Sequence, residues 1–424
     1  MGNGTRRDFL KITAATAGAA ALPWRAQAAS KSITLLHESS FIPAFDAYMK
    51  NTIAPLYEKT TGVKVNYELT SVGSLPTRVS TITETGSGAD LTMDILLTPF
   101  LYDEKLADLS DIAEEVGKKQ GGWYDAAKEA AVVKGKWKAL PFANIGQLMN
   151  WRTDWFAEIG VKKFPDTWEE LYEAGKKLKA KGHPFGFELG HGFGDNHGWM
   201  YPLLWSYGGH EVEADGKTVS IDSSETAAAI DFCRKFFQDT MMEDCLGWTD
   251  VSNNKSWMAQ QISCTNNAES ILYIAKRDFP DIGKVTDQAM NPQGPKGRFH
   301  FMNSISHSVF NFSPAKEEAR AFLKWLMTTN ALGDWYNSAD SYYQPLLHGY
   351  DKAPMWNVEP RNIPYRDALA TAHLPGWPAP ASPKLAQSVA KYVVVDMFAK
   401  AAGGAKTPDV IKTAQAQLKQ IYSA

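Results

Sequence analysis

The chain has 424 residues, more than one simple core accommodates, so two lobes are the starting expectation. Charged residues make up 21% and hydrophobic ones 44%, a globular balance that excludes a largely disordered chain. Net charge is −3, and beyond residue 28 there are 40 basic groups against 46 acidic ones, so no nucleic acid is expected as a partner, because that would need a basic footprint. The 14 Trp, 16 Tyr and 20 Phe exceed what cores need and point to a surface or cleft that grips something flat and partly apolar.

At the N-terminus, Thr5-Arg6-Arg7-Asp8-Phe9-Leu10-Lys11 precedes an Ala-rich apolar run and then Ala26-Gln27-Ala28. This reads as a cleavable signal peptide, with the cut expected after Ala28. The paired arginines followed by Phe-Leu-Lys resemble the twin-arginine export signal, which implies a periplasmic protein. The apolar run is too short to span a bilayer.

The mature chain opens with a strand over residues 33–36 that ends in His37-Glu38-Ser39-Ser40. A helix over 43–59, a strand over 63–69, a helix over 76–85 and a strand over 93–97 follow, the last ending in Thr98-Pro99-Phe100. This βαβαβ order predicts a parallel sheet with helices on both faces. In such sheets ligands bind outside the carboxyl ends of the strands, which singles out His37, Glu38 and Phe100. Residues 132–137 read as a hairpin around Lys134-Gly135.

Residues 140–178 organise the rest. Pro141–Gly146 reads as a hinge and 145–151 as the first strand of a new lobe. Thr167 is a natural cap for a helix running to Leu178, with Glu169 and Glu170 in its first turn, where the helix dipole favours anions. Residues 184–189 read as a strand leading into the loop His191-Gly192-Phe193-Gly194-Asp195-Asn196-His197-Gly198-Trp199. A helix to Tyr207, a helix over 224–238, a short helix over 254–260, a strand over 262–265 and a helix over 268–278 complete a second lobe expected to be built like the first. A Pro/Gly linker over 291–297 leads into a strand over 304–312. Tyr342-Tyr343-Gln344-Pro345 looks like another crossing, and two helices, 383–401 and 407–422, end the chain.

This pattern resembles the extracellular solute-binding proteins of ABC importers, specifically the sugar-binding family that includes maltose-binding protein. The resemblance spans nearly the whole mature chain. It is carried by Thr61-Gly62-Val63-Lys64-Val65, residues 89–96, Leu140-Pro141, Phe164-Pro165-Asp166-Thr167-Trp168-Glu169-Glu170-Leu171, Gly208-Gly209, residues 223–232, Trp257-Met258-Ala259, residues 313–327 and the terminal helix pair. It implies an α/β fold of two lobes joined by hinge strands, with a ligand cleft between them. One lobe is expected from 29–143 plus about 298–344, the other from 144–297 plus about 345–424. Two departures stand out. Residues 257–262 lack the family's usual Gly-Lys, and Asn266-Asn267-Ala268 has no Trp where maltose-binding protein stacks its ligand, so maltodextrin is not implied.

Sugars are held by rings against their C–H faces and by planar polar groups on their hydroxyls. The resemblance places His191, Phe193, Asp195 and Trp199 in a loop that faces the ligand. Asn266 and Asn267 offer donors and acceptors at a strand end. Asn144 lies at the crossing, Asn303 at the start of the returning strand, Tyr343 at the last crossing, and Trp377 in a Pro-rich loop as a lid ring. His191, Asp195 and His197 do not make a metal site, since the Gly-rich spacing does not fix them on one face; no metal and no cofactor is expected. Cys233, Cys245 and Cys264 read as small buried hydrophobes, with a Cys233–Cys245 bridge open. The expected activity is delivery of a carbohydrate or polyol to an ABC permease by hinge closure, by a monomer that is not an enzyme. A polyamine or other small polar solute is the alternative, and a secreted carbohydrate hydrolase a further one. The sequence holds no GxSxG, HExxH, P-loop or GxGxxG.

Overall fold

The computed structural model describes residues 31–95 and 97–423; the signal peptide and its cleavage site lie outside them. The strands are β1 (Ser32–Glu38), β2 (Lys64–Thr70), β3 (Leu91–Ile95), β4 (Val132–Val133), β5 (Lys136–Trp137), β6 (Leu140–Asn144), β7 (Leu148–Arg152), β8 (Cys264–Asn267), β9 (Thr286–Ala289), β10 (His300–Phe301), β11 (Ser304–Val309), β12 (Gln344–Pro345) and β13 (Ala372–His373). Six of them form one sheet in the order β12-β6-β11-β3-β1-β2. Here β1 runs parallel to β2 and β3, as the βαβαβ order requires, and the crossovers are helical segments over residues 43–61 and Leu75–Thr85. The first crossover carries a π turn at Met49–Ile53. β3 (Leu-Thr-Met-Asp-Ile) is buried throughout, as expected for a strand covered on both faces.

The chain leaves this sheet at β6 and continues into β7, the centre of a second sheet, β8-β7-β9. It returns at Met302-Asn303 into β11, which lies antiparallel between β3 and β6. A third crossing adds β12 against β6. β4 and β5 form the hairpin read from Lys134-Gly135, whose φ values of 52° and 77° suit a tight two-residue turn.

The second sheet corrects the expectation of a copy of the first: both β8 and β9 run antiparallel to β7. The stretch 184–189 is not a strand. Its backbone bonds scatter, Phe185 N–H to Thr240, Gly186 N–H to Cys264 and Leu189 N–H to Cys245. It threads past Trp248 so closely that a Cβ at Gly186 would lie 2.4 Å from the indole and one at Gly190 1.9 Å from the Trp248 carbonyl. Thr167 caps the helix Trp168–Ala180 in a full capping box with Glu170. The helix Asp195–Tyr207 is buried on nearly every side and ends at Gly208, φ 94°. The terminal helix read over 383–401 is broken into Pro383–Ala390 and Val393–Ala402 at Tyr392, φ 55°. Cys233, Cys245 and Cys264 are all buried and unpaired, so the open Cys233–Cys245 bridge is not formed. Among the described residues no helix is long and apolar enough to cross a membrane.

Candidate functional site

Both sheets aim strand ends at one cavity. Glu38 ends β1, Ile95 ends β3 and Asn303 precedes β11 on one side; Asn267 ends β8 on the other. The loop before Asp195 adds Phe193, the residue just before β7 adds Gln147, and Phe41, Tyr342 and Asp250 complete the polar chamber. Its space, mouth included, is about 430 Å³. Ile95 and Phe193 also border a second, apolar chamber of about 500 Å³ between the lobes, walled by Pro76, Leu97, Leu101, Val389 and Tyr392.

Asp195 is the anchor of the polar chamber. Its Oδ1 accepts from Gln147 Nε2 at 2.8 Å, and its Oδ2 from Asn253 Nδ2 at 2.8 Å and Asn267 Nδ2 at 2.7 Å. Glu188 lies beneath it and accepts the Asn196 backbone N–H at 3.2 Å, in the first turn of the helix Asp195–Tyr207. Glu188, Asp195 and Asp250 bring carboxylate oxygens within 4.8 Å of one another. Burial raises all three above the usual carboxylate range, Asp250 to about 7; the Asp250 charge adds to the rise of the other two. Glu38 is pushed up to about 8, by burial first and then by the charges of Asp250 and Asp46, against the Tyr343 hydroxyl that donates to it at 3.4 Å. Gly194 makes this crowding possible, since a Cβ there would sit 2.4 Å from Glu188 Oε2 and 3.0 Å from Asp250 Oδ1.

Of the residues read from sequence, Glu38, Phe193, Asp195, Asn267 and Asn303 line the cavity. The others do not. His37 follows strand alternation to the opposite face, where its neutral ring packs among Phe45, Tyr67, Phe142, His307 and Trp335, and burial lowers it to about 4. Asn266 alternates away from Asn267 and donates to the Gln147 carbonyl and to Asn291. Phe100 is a core ring. Asn144 spends its amide in the hinge, on Gln344 Oε1 at 3.1 Å and the Asn303 N–H at 2.9 Å. His191 is exposed and pairs with Asp396 at 2.7 Å. Trp199 is fully buried and donates to the Glu188 carbonyl. Tyr343 stacks on Phe45 and reaches only Glu38, while its neighbour Tyr342 faces the cavity. Trp377 is no lid: it packs on His373, Phe299 and Trp205. Sequence reading missed Gln147, Asp250, Phe41 and Glu188. Gln147 lay inside the crossing stretch and was within reach; Asp250 sits in a loop with no local signal.

Residues 38–331 match the family model for bacterial extracellular solute-binding proteins, well over half of the chain. The chain belongs to this family. Residues 5–23 match the twin-arginine translocation signal sequence, so this solute-binding protein is exported to the periplasm. A binding protein of Brucella abortus (strain 2308) is 24% identical over 275 residues, covering 62% of this chain and 64% of the relative. The chain thus matches less than two thirds of the length of such curated relatives. Maltose-bound MalE3 of T. maritima superposes with a TM-score of 0.79 at 20% identity, over 92% of this chain and 99% of that one. A solute-binding protein of Agrobacterium radiobacter K84 in complex with ribitol gives 0.76 at 18%, over 92% and 98%. These likenesses show the two-lobe fold.

Proposed function

We propose that this solute-binding protein holds a carbohydrate or polyol in the polar chamber and delivers it to an ABC permease by hinge closure. The supporting observation is the chamber itself. It joins strand ends from both sheets, and it sets planar acceptors (Glu38, Asp195, Asp250, Asn303) beside the rings of Phe41, Phe193 and Tyr342. Carboxylates and amides suit vicinal hydroxyls, and rings suit the C–H faces between them. The lobes divide at the three crossings, 144–148, Met302-Asn303 and 341–345. Ligand that touches both lobes gains its full set of contacts only when they are closed, and so shifts the population toward that form. Relatives bound to maltose and to ribitol show one fold serving a disaccharide and a linear polyol, so the chamber lining, not the fold, selects the ligand.

A thermal-shift screen over mono- and disaccharides and linear polyols tests this. A ligand at 100 times its Kd stabilises by about 2.7 kcal/mol, a readily measured rise. If no sugar or polyol raises the melting temperature, the carbohydrate reading fails. Incubation with oligosaccharides checks the binding-only role: release of shorter products would identify a hydrolase that uses the chamber's carboxylates.

A further inference from the structure

We infer that the ligand of this cleft carries a protonated amine, as an amino sugar or amino polyol does, seated against Glu38 and Asp250. The inference rests on the carbohydrate reading and narrows it. Two acceptors in the chamber lining lack donors. Gln147 Oε1 and Asn303 Oδ1 are buried with no hydrogen-bond partner, in side chains only 6% and 5% exposed, and both residues line the chamber. Of the lining amides, Gln147 and Asn267 give N–H groups to Asp195, and Asn267 also to Asn254 Oδ1 at 2.9 Å, while the Asn303 amide nitrogen and the Tyr342 hydroxyl remain as donors. Glu38 receives only the long Tyr343 bond. Among the described residues no Lys, Arg or His lines the chamber.

A neutral hydroxyl brings one donor and needs donors in return. An ammonium brings three donors, accepts nothing, and supplies the missing positive charge. The rings of Phe41, Phe193 and Tyr342 line the same space, and aromatic rings can attract a cation. A divalent metal fits the same acidity less well. Both Asp195 oxygens already take amide donors, Oδ2 two of them. Glu188 does not line the chamber, and it faces the N-terminal amides of the helix Asp195–Tyr207, whose dipole opposes a cation there. A metal would have to displace these donors to collect the six or more oxygens that calcium takes.

The test uses matched pairs on the mature protein at pH 7.5: sorbitol against 1-amino-1-deoxysorbitol, glucose against glucosamine, and disaccharides against their amino counterparts, with putrescine and calcium chloride as separate arms. Binding is read by calorimetry and thermal shift. The expected result is that in at least one pair the amino member binds ten times more tightly or better. In Glu38→Gln and in Asp250→Asn that advantage should fall about tenfold, while the neutral member changes less. Raising the salt concentration on the unmodified protein should weaken only the amino member, which keeps the test independent of how well the variants fold. If neutral members bind as well as or better than amino ones, the amine inference is overturned and the carbohydrate reading stands. If only putrescine binds, the carbohydrate reading itself falls. If calcium alone stabilises the protein, the acidic cluster is a metal site and the inference is overturned. If no member of any pair binds, both fall together.

Discussion

Gln344 should be the residue on which the hinge depends. It is fully buried, and its one amide makes four bonds across two crossings. Oε1 accepts from Asn144 Nδ2 at 3.1 Å and from the Gly146 N–H at 2.6 Å; Nε2 donates to the Ser341 carbonyl at 3.0 Å and the Tyr342 carbonyl at 2.7 Å. Asn144 in turn holds the Asn303 N–H, so the third crossing joins the same network. Gln344→Met keeps the volume and removes the amide. It leaves at least two donors, the Gly146 N–H and Asn144 Nδ2, without their partner in a dry core. At about 1–3 kcal/mol for each stranded buried group, the expected loss is roughly 4 kcal/mol. Gln344→Ala adds a cavity and should lose more. Urea unfolding of the ligand-free protein, followed by tryptophan fluorescence, measures both. Small-angle scattering measures whether the lobes sample a wider range of openings. A loss under 1 kcal/mol in Gln344→Met, with unchanged scattering, would show that the strands themselves hold the crossings and that the amide is incidental.

Four further outcomes are expected. Gly194→Ala places a methyl 2.4 Å from Glu188 Oε2, so the carboxylates must shift; a loss of about 1–3 kcal/mol in thermal unfolding is expected, and an unchanged melting temperature would refute the packing described. Trp377→Ala, at a half-buried ring, should cost about 1–3 kcal/mol of stability and leave ligand preference unchanged, whereas Phe193→Ala, on the wall of both chambers, should alter ligand preference; calorimetry on both variants decides. A thiol reagent should find no reactive cysteine in the native protein and three in denaturant, because all three are buried and burial pushes the Cys245 thiol up to about 12. Glu38 sits at about 8 in the fold against 4.5 unperturbed. Its contribution is therefore fully present below about pH 4.5 and is lost as pH rises through 8, so Glu38→Gln should flatten the stability profile between those limits. The full effect is on the order of 5 kcal/mol, capped by the cost of opening the lobes to let water reach the carboxylate.

The β1–β3 unit was legible because its periodicity, turn glycines and strand-to-helix alternation all point to one answer. Thr167 and its capping box were legible for the same local reason. The second sheet was not. Antiparallel pairing of β8 and β9 with β7 is set by residues more than a hundred positions apart, and 184–189 has a strand's composition but lies against Trp248 instead of a partner strand. In the site, the rule that ligands lie at strand ends found Glu38, and the loop reading found Phe193 and Asp195. The same rule erred by one residue at His37 and Asn266, because it locates a strand end without fixing which face a side chain takes, and the crossing reading erred in the same way at Tyr343. Asp250 was invisible, since a loop carboxylate acquires meaning only from Glu188 and Asp195, which the fold brings to it.

The cleft sets two parts of the molecule against each other. The hinge is neutral: Asn144 and Gln344 tie the crossings together without any charge. The chamber it closes gathers the buried Glu38 and Asp195 and the half-buried Asp250 with no cation among the lining residues. Ionised carboxylates in such a place are costly, and burial holds all three above the usual carboxylate range, so closure of the empty chamber is favoured as pH falls. Near neutral pH and above, closing requires either protons taken up or a positive charge brought in. Driving such an equilibrium from 1:99 to 99:1 needs about a 10⁴-fold preference of the ligand for the closed form. A neutral polyol would have to gain that from hydroxyl contacts with groups that mostly accept. A ligand bearing an ammonium gains it from the same carboxylates that resist closure, so the charge that holds the empty lobes apart is what the ligand uses to bring them together.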